Sequence, residues 1–354
     1  MIESHKLIRR ETSSFGKKTS IVLEDLKRFF LLPGNLSVNL TQSKKDFKIL
    51  KTFGLVDEEF LYRFRKYEEI PFTLESKINL KWVNHITKVF NEFKASHLPD
   101  EFKKMQDKLR IELASAMWIV DSEISMADLA YACFQIFHQQ HQTITADLYK
   151  TDINLFKRSL FVSSLNVLLA YIAGYHDIKF LADVYRIGWV LDSGLVNNQF
   201  SYSILMACQA EKIKPGAGLD YLISQNRPKE EIELYINHPQ RSYEKIQENI
   251  DKLFFYPELS QTILYHHEQS NGAGFPHKIT YSGLSEFETL VILSNYFVDY
   301  TEEGMDKLFD LNLRKMWDVF NDPLFSKLPV YRLKIKVERV LHFWSQFAQT
   351  AGAV

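Results

Sequence analysis

Cysteine is scarce in this sequence, with two residues in a chain of 354. Cys133 and Cys208 both lie in apolar segments, are typical of buried reduced thiols, and form no CxxC pair, which excludes a zinc-knuckle or redox motif. The sequence also lacks a signal-peptide apolar core at its N-terminus and any apolar run of the roughly 18 residues needed to span a bilayer. These absences predict a cytoplasmic protein without a membrane span.

An excess of charge of one sign is also missing. Lys and Arg number 43 against 44 Asp and Glu, and the formal net charge is −1. This balance implies no global attraction to nucleic acid or to an anionic membrane, and we predict no nucleic-acid partner. The composition, 46% hydrophobic and 25% charged, is that of a globular protein, and 354 residues are enough for two or more cores.

Hydrophobic periodicity predicts a mainly α protein in which a small α+β module precedes helices. The module is expected at 1–77, a helical connector packed on the next domain at 78–150, and an all-α domain at 151–354. In the module, Leu36, Val38 and Leu40 alternate as in a strand. Pro71 is expected to confine a further strand to the edge of its sheet, because proline cannot donate to the ladder.

Helix boundaries are predicted from capping residues. Asp57 and Ser285 are expected as N-caps, Gly174 as a C′ glycine and Pro228 at the first helical position. Pro239 is expected to interrupt its helix. The C-terminal segments NLRKMWDVFN and LKIKVERVLHFWSQFA are amphipathic and are expected to be helical.

The stretch YHHEQSNGAGFPHK is the most informative motif in the chain. Two adjacent histidines and a glutamate precede a glycine-broken loop, a lone His238–Pro239 pair comes before them, and LSNYFVDYT follows. This order resembles the HD-GYP family, the bacterial cyclic-di-GMP phosphodiesterase branch of the HD superfamily. The resemblance covers roughly residues 155–303 and implies an all-α HD-type domain.

The resemblance also implies a metal site in which half of the ligands have been lost. Family members hydrolyse a phosphodiester with neighbouring metal ions that activate water and neutralise charge. The retained ligand positions are Asp192, His238, His266 and His267. The positions at which a ligand has been replaced are Ser163, Leu191 and Asn295. Leucine cannot ligate a metal, neutral serine is a poor ligand, and asparagine is weaker than aspartate.

Two alternatives to this ligand set stay open. The letters HD also occur at His176 and Asp177, in a predicted loop before the helix that carries Asp192, and that pair could be the family's HD pair. The four retained residues could also be polar groups satisfied by hydrogen bonds in a helical core.

The resemblance implies one divalent transition metal (iron, manganese, zinc or nickel), or none. It implies cyclic-di-GMP or a GGDEF-domain protein as partner. The loop that would contact the nucleotide or partner contains Asn271, Gly272, Gly274, Phe275, Pro276 and Lys278. The same loop could instead be a tight turn in which the glycines adopt positive φ and Phe275 packs inward.

The leading functional hypothesis is a degenerate HD-GYP signalling protein that binds a nucleotide or a protein, with little or no phosphodiesterase turnover. One alternative is an active metal-dependent cyclic-di-GMP phosphodiesterase with an altered metal site. Another is a structural interaction module without a metal.

Overall fold

The computed structural model describes residues 18–40, 45–68, 70–118, 123–138 and 142–311. These residues are mainly helical, with one small sheet near the N-terminus, which confirms the predicted fold class. The chain divides into two compact units, Met1–Thr87 and Lys88–Val354. The division falls within helix α3 (Leu80–Ala95), whereas the sequence placed the end of the first module at residue 77. The amphipathic segments predicted beyond residue 311 lie outside the described residues.

The first unit contains a four-stranded antiparallel sheet in the order β1–β4–β2–β3. Its core consists of buried aliphatic and aromatic side chains from the sheet and the segments around it. The elements are β1 (Lys18–Ile21), α1 (Leu23–Leu26), β2 (Gly34–Leu40), β3 (Lys45–Leu50), α2 (Glu58–Phe64) and β4 (Phe72–Ser76). The core residues are Leu23, Leu26, Leu32, Leu36, Val56, Phe72 and Leu74.

The edge position predicted for β4 is wrong. This strand pairs with both β1 and β2, so that Phe72 lies opposite Ile21 on one side and Val38 on the other. Pro71 stands one residue before the strand begins, and its missing N–H therefore removes no bond from the ladder. The predicted cap is confirmed, because the Asp57 side chain accepts from the backbone N–H of Phe60 at 2.8 Å.

The second unit is helical in its described part. Helix α7 lies at its centre and packs against α5, α6, α8 and α13. Beyond α3, the helices are α4 (Pro99–Trp118), α5 (Met126–Phe137), α6 (Gln142–Thr151), α7 (Ile153–Ile172), α8 (Ile178–Val190), α9 (Ser201–Ile213), α10 (Ala217–Ser224), α11 (Lys229–Gln247), α12 (Ile250–Leu253), α13 (Glu286–Phe297) and α14 (Glu302–Phe309).

Helix α7 is buried from Leu155 to its end at Ile172. Asp152 caps it by accepting from the backbone N–H groups of Asn154 and Leu155 at 2.7 and 3.4 Å. By length and composition α7 could cross a membrane, but the apolar window that meets this criterion is 100% buried inside the protein. Burial against other helices accounts for its apolar composition.

Most of the predicted helix ends are confirmed. Gly174 follows α7 with φ of +97°, and Ser285 accepts from the N–H of Glu288 at 3.2 Å at the start of α13. Pro228 is the N-cap of α11, one position before the predicted one. The interruption predicted at Pro239 is wrong, because α11 continues through this residue to Gln247.

Helices α7 and α8 approach closely at Gly188. A Cβ atom at this position would lie 2.5 Å from Ser163 Cα and 2.6 Å from Ser163 N, which are backbone atoms that cannot rotate away. Glycine therefore allows a contact between helix backbones just before α8 ends and the chain reaches Asp192.

We expect Gly188→Ala to lower the free energy of unfolding by about 1–3 kcal/mol, because the new methyl group would force α7 and α8 apart. The matched control is Lys179→Ala on the exposed face of the same helix, which should change stability by no more than about 0.5 kcal/mol. Urea unfolding followed by circular dichroism measures both. Equal stability of the two variants would show that the backbone contact is not required.

Candidate metal centre

Four side chains that could ligate a metal converge from three parts of the helical unit. Asp192 follows the C-terminal end of α8, His238 lies within α11, and His266 and His267 follow a 3-10 segment at Pro257–Tyr265. One ligand atom from each of these residues lies within 4.8 Å of all the others. Exposed fractions are 1% for Asp192, 0% for His238, 1% for His266 and 9% for His267. The four residues predicted from the sequence, called the quartet below (Asp192, His238, His266 and His267), are thus brought together in a buried position.

The facing atoms are a carboxylate oxygen and imidazole nitrogens. Asp192 Oδ1 lies 3.5 Å from His238 Nε2 and 3.5 Å from His266 Nε2. His238 Nε2 and His267 Nε2 are 3.0 Å apart. In the absence of a metal, a hydrogen on His267 Nε2 can bridge the two nitrogens. A bound cation would replace that hydrogen and accept both lone pairs.

The backbone orients two of the three imidazoles. His238 Nδ1 lies 2.7 Å from the carbonyl oxygen of Tyr235, and His266 Nδ1 lies 2.7 Å from that of Ile263. A carbonyl only accepts, so each Nδ1 carries the hydrogen and each Nε2 presents a lone pair. Histidines that bind metals are held in this way, with the second nitrogen donating to a backbone or carboxylate oxygen.

Pro239 explains why the carbonyl of Tyr235 is free to accept. In an α-helix this oxygen would accept from the N–H four residues later, at position 239, and proline has no N–H. The helix continues through Pro239, and the His238 ring supplies the missing donor. The His238–Pro239 pair therefore sets the tautomer and direction of the ligand.

The protonation states favour cation binding. Burial raises the pKa of Asp192, but the Arg158 guanidinium that donates to its Oδ2 opposes this effect and holds that pKa well below its ordinary value. Burial lowers the pKa of His266, although the Asp192 carboxylate opposes the shift. The pKa of His267 is held well below its ordinary value, mainly by burial and to a smaller extent by His266 and His238. Near neutral pH Asp192 is thus a carboxylate, and His266 and His267 are neutral imidazoles, which are the forms that ligate metals.

Two unpaired polar atoms of the quartet indicate whether it fits a metal. Asp192 Oδ1 and His266 Nε2 are buried and have no hydrogen-bond partner among the residues that the structure describes. Leaving such groups unpaired is costly, and a shared cation would satisfy both. Three imidazoles and one carboxylate suit iron, manganese, zinc or nickel. The residues therefore fit a divalent transition metal.

The sequence interpretation missed Arg158, which reaches the cluster from α7. Its guanidinium donates to Asp192 Oδ2 through one nitrogen and to Asn295 Oδ1 through another. The Arg158 side chain is 1% exposed, and its Cζ lies 3.7 Å from the centre of the Tyr300 ring. Its position in a largely apolar helix was a signal in the sequence, because a charge there needs a partner when buried.

The three positions predicted as lost ligands lie in different surroundings. Asn295 belongs to the site, since it accepts from Arg158 and its Nδ2 donates to the His266 carbonyl at 2.9 Å. Leu191 is fully buried in the hydrophobic core at the end of α8. Ser163 packs against Gly188, and the α7 side chain that contacts Asp192 is instead Arg158.

His176 and Asp177 do not share a site with the quartet. Asp177 is the N-cap of α8 and accepts from the N–H of Phe180 at 2.7 Å, whereas Asp192 follows the other end of the helix. The 13 residues of α8 span about 20 Å. His176 packs edge-on against Tyr171, with ring centroids 4.7 Å apart.

The glycine-rich loop is held against the histidines. The Phe275 ring stacks on His267, with centroids 4.6 Å apart and an interplanar angle of 13°. Gly272 has φ of +75°, as expected for a turn, and Lys278 also has positive φ. Gly274 is needed for a different reason, because a Cβ there would lie 2.5 Å from the carbonyl oxygen of His267.

Glu268 anchors this loop and is not directed at the quartet. Its Oε1 accepts from the N–H of His277 at 2.7 Å, and its Oε2 accepts from the N–H of Ile279 at 2.8 Å. Asn271 and Lys278 are exposed, while Phe275 and Pro276 are half-buried. The loop thus combines an exposed edge with an aromatic ring that covers His267.

Comparisons with known proteins add little to this geometry. No family model matches the chain, and no curated protein matches it. Among solved structures, the chain is similar to Bd1817, a HDG"Y"P protein from Bdellovibrio bacteriovorus. The two are 15% identical over 85% of this chain and 100% of that one, with a TM-score of 0.35. Because this similarity is so low, the functional assignment rests on the residues of this chain.

We expect the metal-free protein to lose stability as the pH falls below about 6.5. Histidines in the unfolded chain take up protons there, whereas the lowered pKa values of His266 and His267 mean that these residues take up protons only at lower pH in the folded protein. The folded state then binds fewer protons, so lower pH favours unfolding by up to about 1.4 kcal/mol per pH unit for each such histidine.

Urea unfolding at pH 7.5 and 5.5, after treatment with a chelator, measures this dependence. His267→Gln should reduce it, and His277→Gln, which alters an exposed ring in the adjacent loop, should not. An identical pH dependence in wild type and His267→Gln would contradict the assignment of a neutral buried imidazole.

Proposed function

We propose that this chain is a degenerate HD-GYP-type signalling protein of the cytoplasm. In this proposal it binds one divalent transition metal and acts by binding a nucleotide or a protein, with little or no phosphodiesterase turnover. The convergence of Asp192, His238, His266 and His267 on one point carries the metal assignment. The motif HHEQSNGAGFP and its position in a helical unit support the relation to HD-GYP proteins.

The low turnover is inferred from the residues around Asp192. Two-metal hydrolysis requires ligands for a second ion that can stabilise the leaving oxygen. Here Asp192 Oδ2 accepts a hydrogen bond from Arg158. The neighbouring oxygen that could ligate a second ion belongs to the neutral amide of Asn295, and it also accepts from Arg158. The residues of this chain would therefore hold and orient one cation. When bound, that cation would supply Lewis acidity.

The proposed partners are cyclic-di-GMP or a GGDEF-domain protein, and the proposed contact surface is the loop from Asn271 to Lys278. The exposed ammonium group of Lys278 could meet a phosphate, and the half-buried Phe275 ring offers a flat apolar surface next to His267. The Glu268 carboxylate accepts hydrogen bonds from two backbone N–H groups of the loop. The loop conformation is therefore held in place without a bound partner.

We expect protein purified without chelator to contain one equivalent of transition metal by elemental analysis. His266→Ala should remove it, because its Nε2 faces Asp192, whereas His277→Ala should retain it as an exposed histidine of the adjacent loop. Calorimetry with cyclic-di-GMP should show binding, and chromatography should show no linear product. No heat with the nucleotide would leave the GGDEF-domain protein as the partner, to be tested by the same titration.

Other outcomes would identify the alternatives. Linearisation of cyclic-di-GMP with ordinary turnover in Mn²⁺ or Fe²⁺, abolished by His266→Ala, would establish an active phosphodiesterase. Protein that contains no metal, takes up none on titration and gives no heat with either partner would establish a metal-free interaction module.

A further inference from the structure

We propose that the guanidinium of Arg158 is a built-in second cation of the metal centre, which limits the site to a single metal ion. The inference rests on the proposed metal site and assigns a role to a residue outside the quartet. Arg158 is a positioning residue in this account, because it acts through Asp192 and Asn295.

The two oxygens of the Asp192 carboxylate face different partners. Oδ1 faces His238 and His266 and has no hydrogen-bond partner in the described part of the chain, whereas Oδ2 accepts from Arg158. A carboxylate can bridge two cations through its two oxygens. In this chain the cation on Oδ2 is already present as a side chain, which leaves only Oδ1 for a metal.

Arg158 also takes the other oxygen that could serve a second ion. A second guanidinium nitrogen donates to Asn295 Oδ1 and, at 3.4 Å, to the Asn295 backbone carbonyl. These acceptors and Asp192 Oδ2 form a group of oxygens beside the histidines. Such a group suits a hard cation, and the arginine fork satisfies it instead.

The surroundings of Arg158 hold the guanidinium in place. Its Cζ lies 3.7 Å from the centre of the Tyr300 ring, a contact that favours a cation. Asn295 in turn donates to the His266 carbonyl at 2.9 Å, so the arginine is connected to the backbone of a metal-ligand residue. The Arg158 side chain is 1% exposed, and moving it into solvent to admit a second ion would break its contacts with Asp192, Asn295 and Tyr300.

The test is a set of variants that offer a second ion a carboxylate with and without the arginine. Asn295→Asp alone adds an acidic ligand beside Arg158. Arg158→Met/Asn295→Asp adds the same ligand and removes the guanidinium while keeping an unbranched apolar side chain. Arg158→Lys/Asn295→Asp is the matched control that keeps the positive charge. Mn²⁺ is the probe, with stoichiometry from equilibrium dialysis and spin coupling from electron paramagnetic resonance.

We expect one Mn²⁺ per chain in wild type, in Asn295→Asp and in the lysine variant, with the spectrum of an isolated ion. We expect two per chain in Arg158→Met/Asn295→Asp, with the exchange-coupled spectrum of a close pair. Two ions in wild type or in Asn295→Asp would overturn the inference, since the guanidinium would then exclude nothing. The wild-type and Asn295→Asp measurements can overturn the inference even if the methionine variant does not fold.

The two proposals fail in different ways. A wild type that binds no Mn²⁺ would overturn the metal site of the proposed function. One ion in wild type, together with only one in a folded Arg158→Met/Asn295→Asp variant, would overturn the role of Arg158 and leave the metal site intact. Retention of the first ion and an unchanged circular dichroism spectrum show that a variant is folded.

Discussion

The buried ion pair between Arg158 and Asp192 is the interaction on which the site depends. Both side chains are 1% exposed, and an isolated charge at either position would be strongly unfavourable. Removing one partner of such a pair leaves the other uncompensated, at a cost of about 3–5 kcal/mol. The pair connects α7 to the end of α8, and Asn295 extends the connection to α13. It also determines which oxygen of Asp192 faces the histidines.

Much of the fold was predictable because its signals are local. Strand alternation around Leu36 and the caps Asp57 and Ser285 depend on a few neighbouring residues. The errors at Pro71 and Pro239 have one cause. Proline removes a donor, but whether that loss matters depends on the partner of that donor. At Pro71 the ladder had not begun, and at Pro239 a side chain took over the acceptor.

The site was predictable in part. The resemblance of short motifs to those of a known family predicted the histidines and Asp192 as ligand positions, and these residues converge in space. Arg158 could not be assigned in the same way, because its meaning comes from residues distant in sequence, Asp192 and Asn295. The direction of the Glu268 side chain could not be predicted from the sequence either. Only the folded loop shows that its carboxylate accepts from two backbone N–H groups beyond Pro276.

The His238–Pro239 pair has a consequence for how such a site can persist as a sequence changes. The acceptor for the ring lies three residues earlier in the same helix, and the proline that frees it is the next residue. The hydrogen bond that orients the imidazole is therefore made within five consecutive residues, and its donor and acceptor lie in the same helix. A ligand specified this locally can keep its geometry while surrounding positions diverge, and it can be transferred to another helix as a short segment.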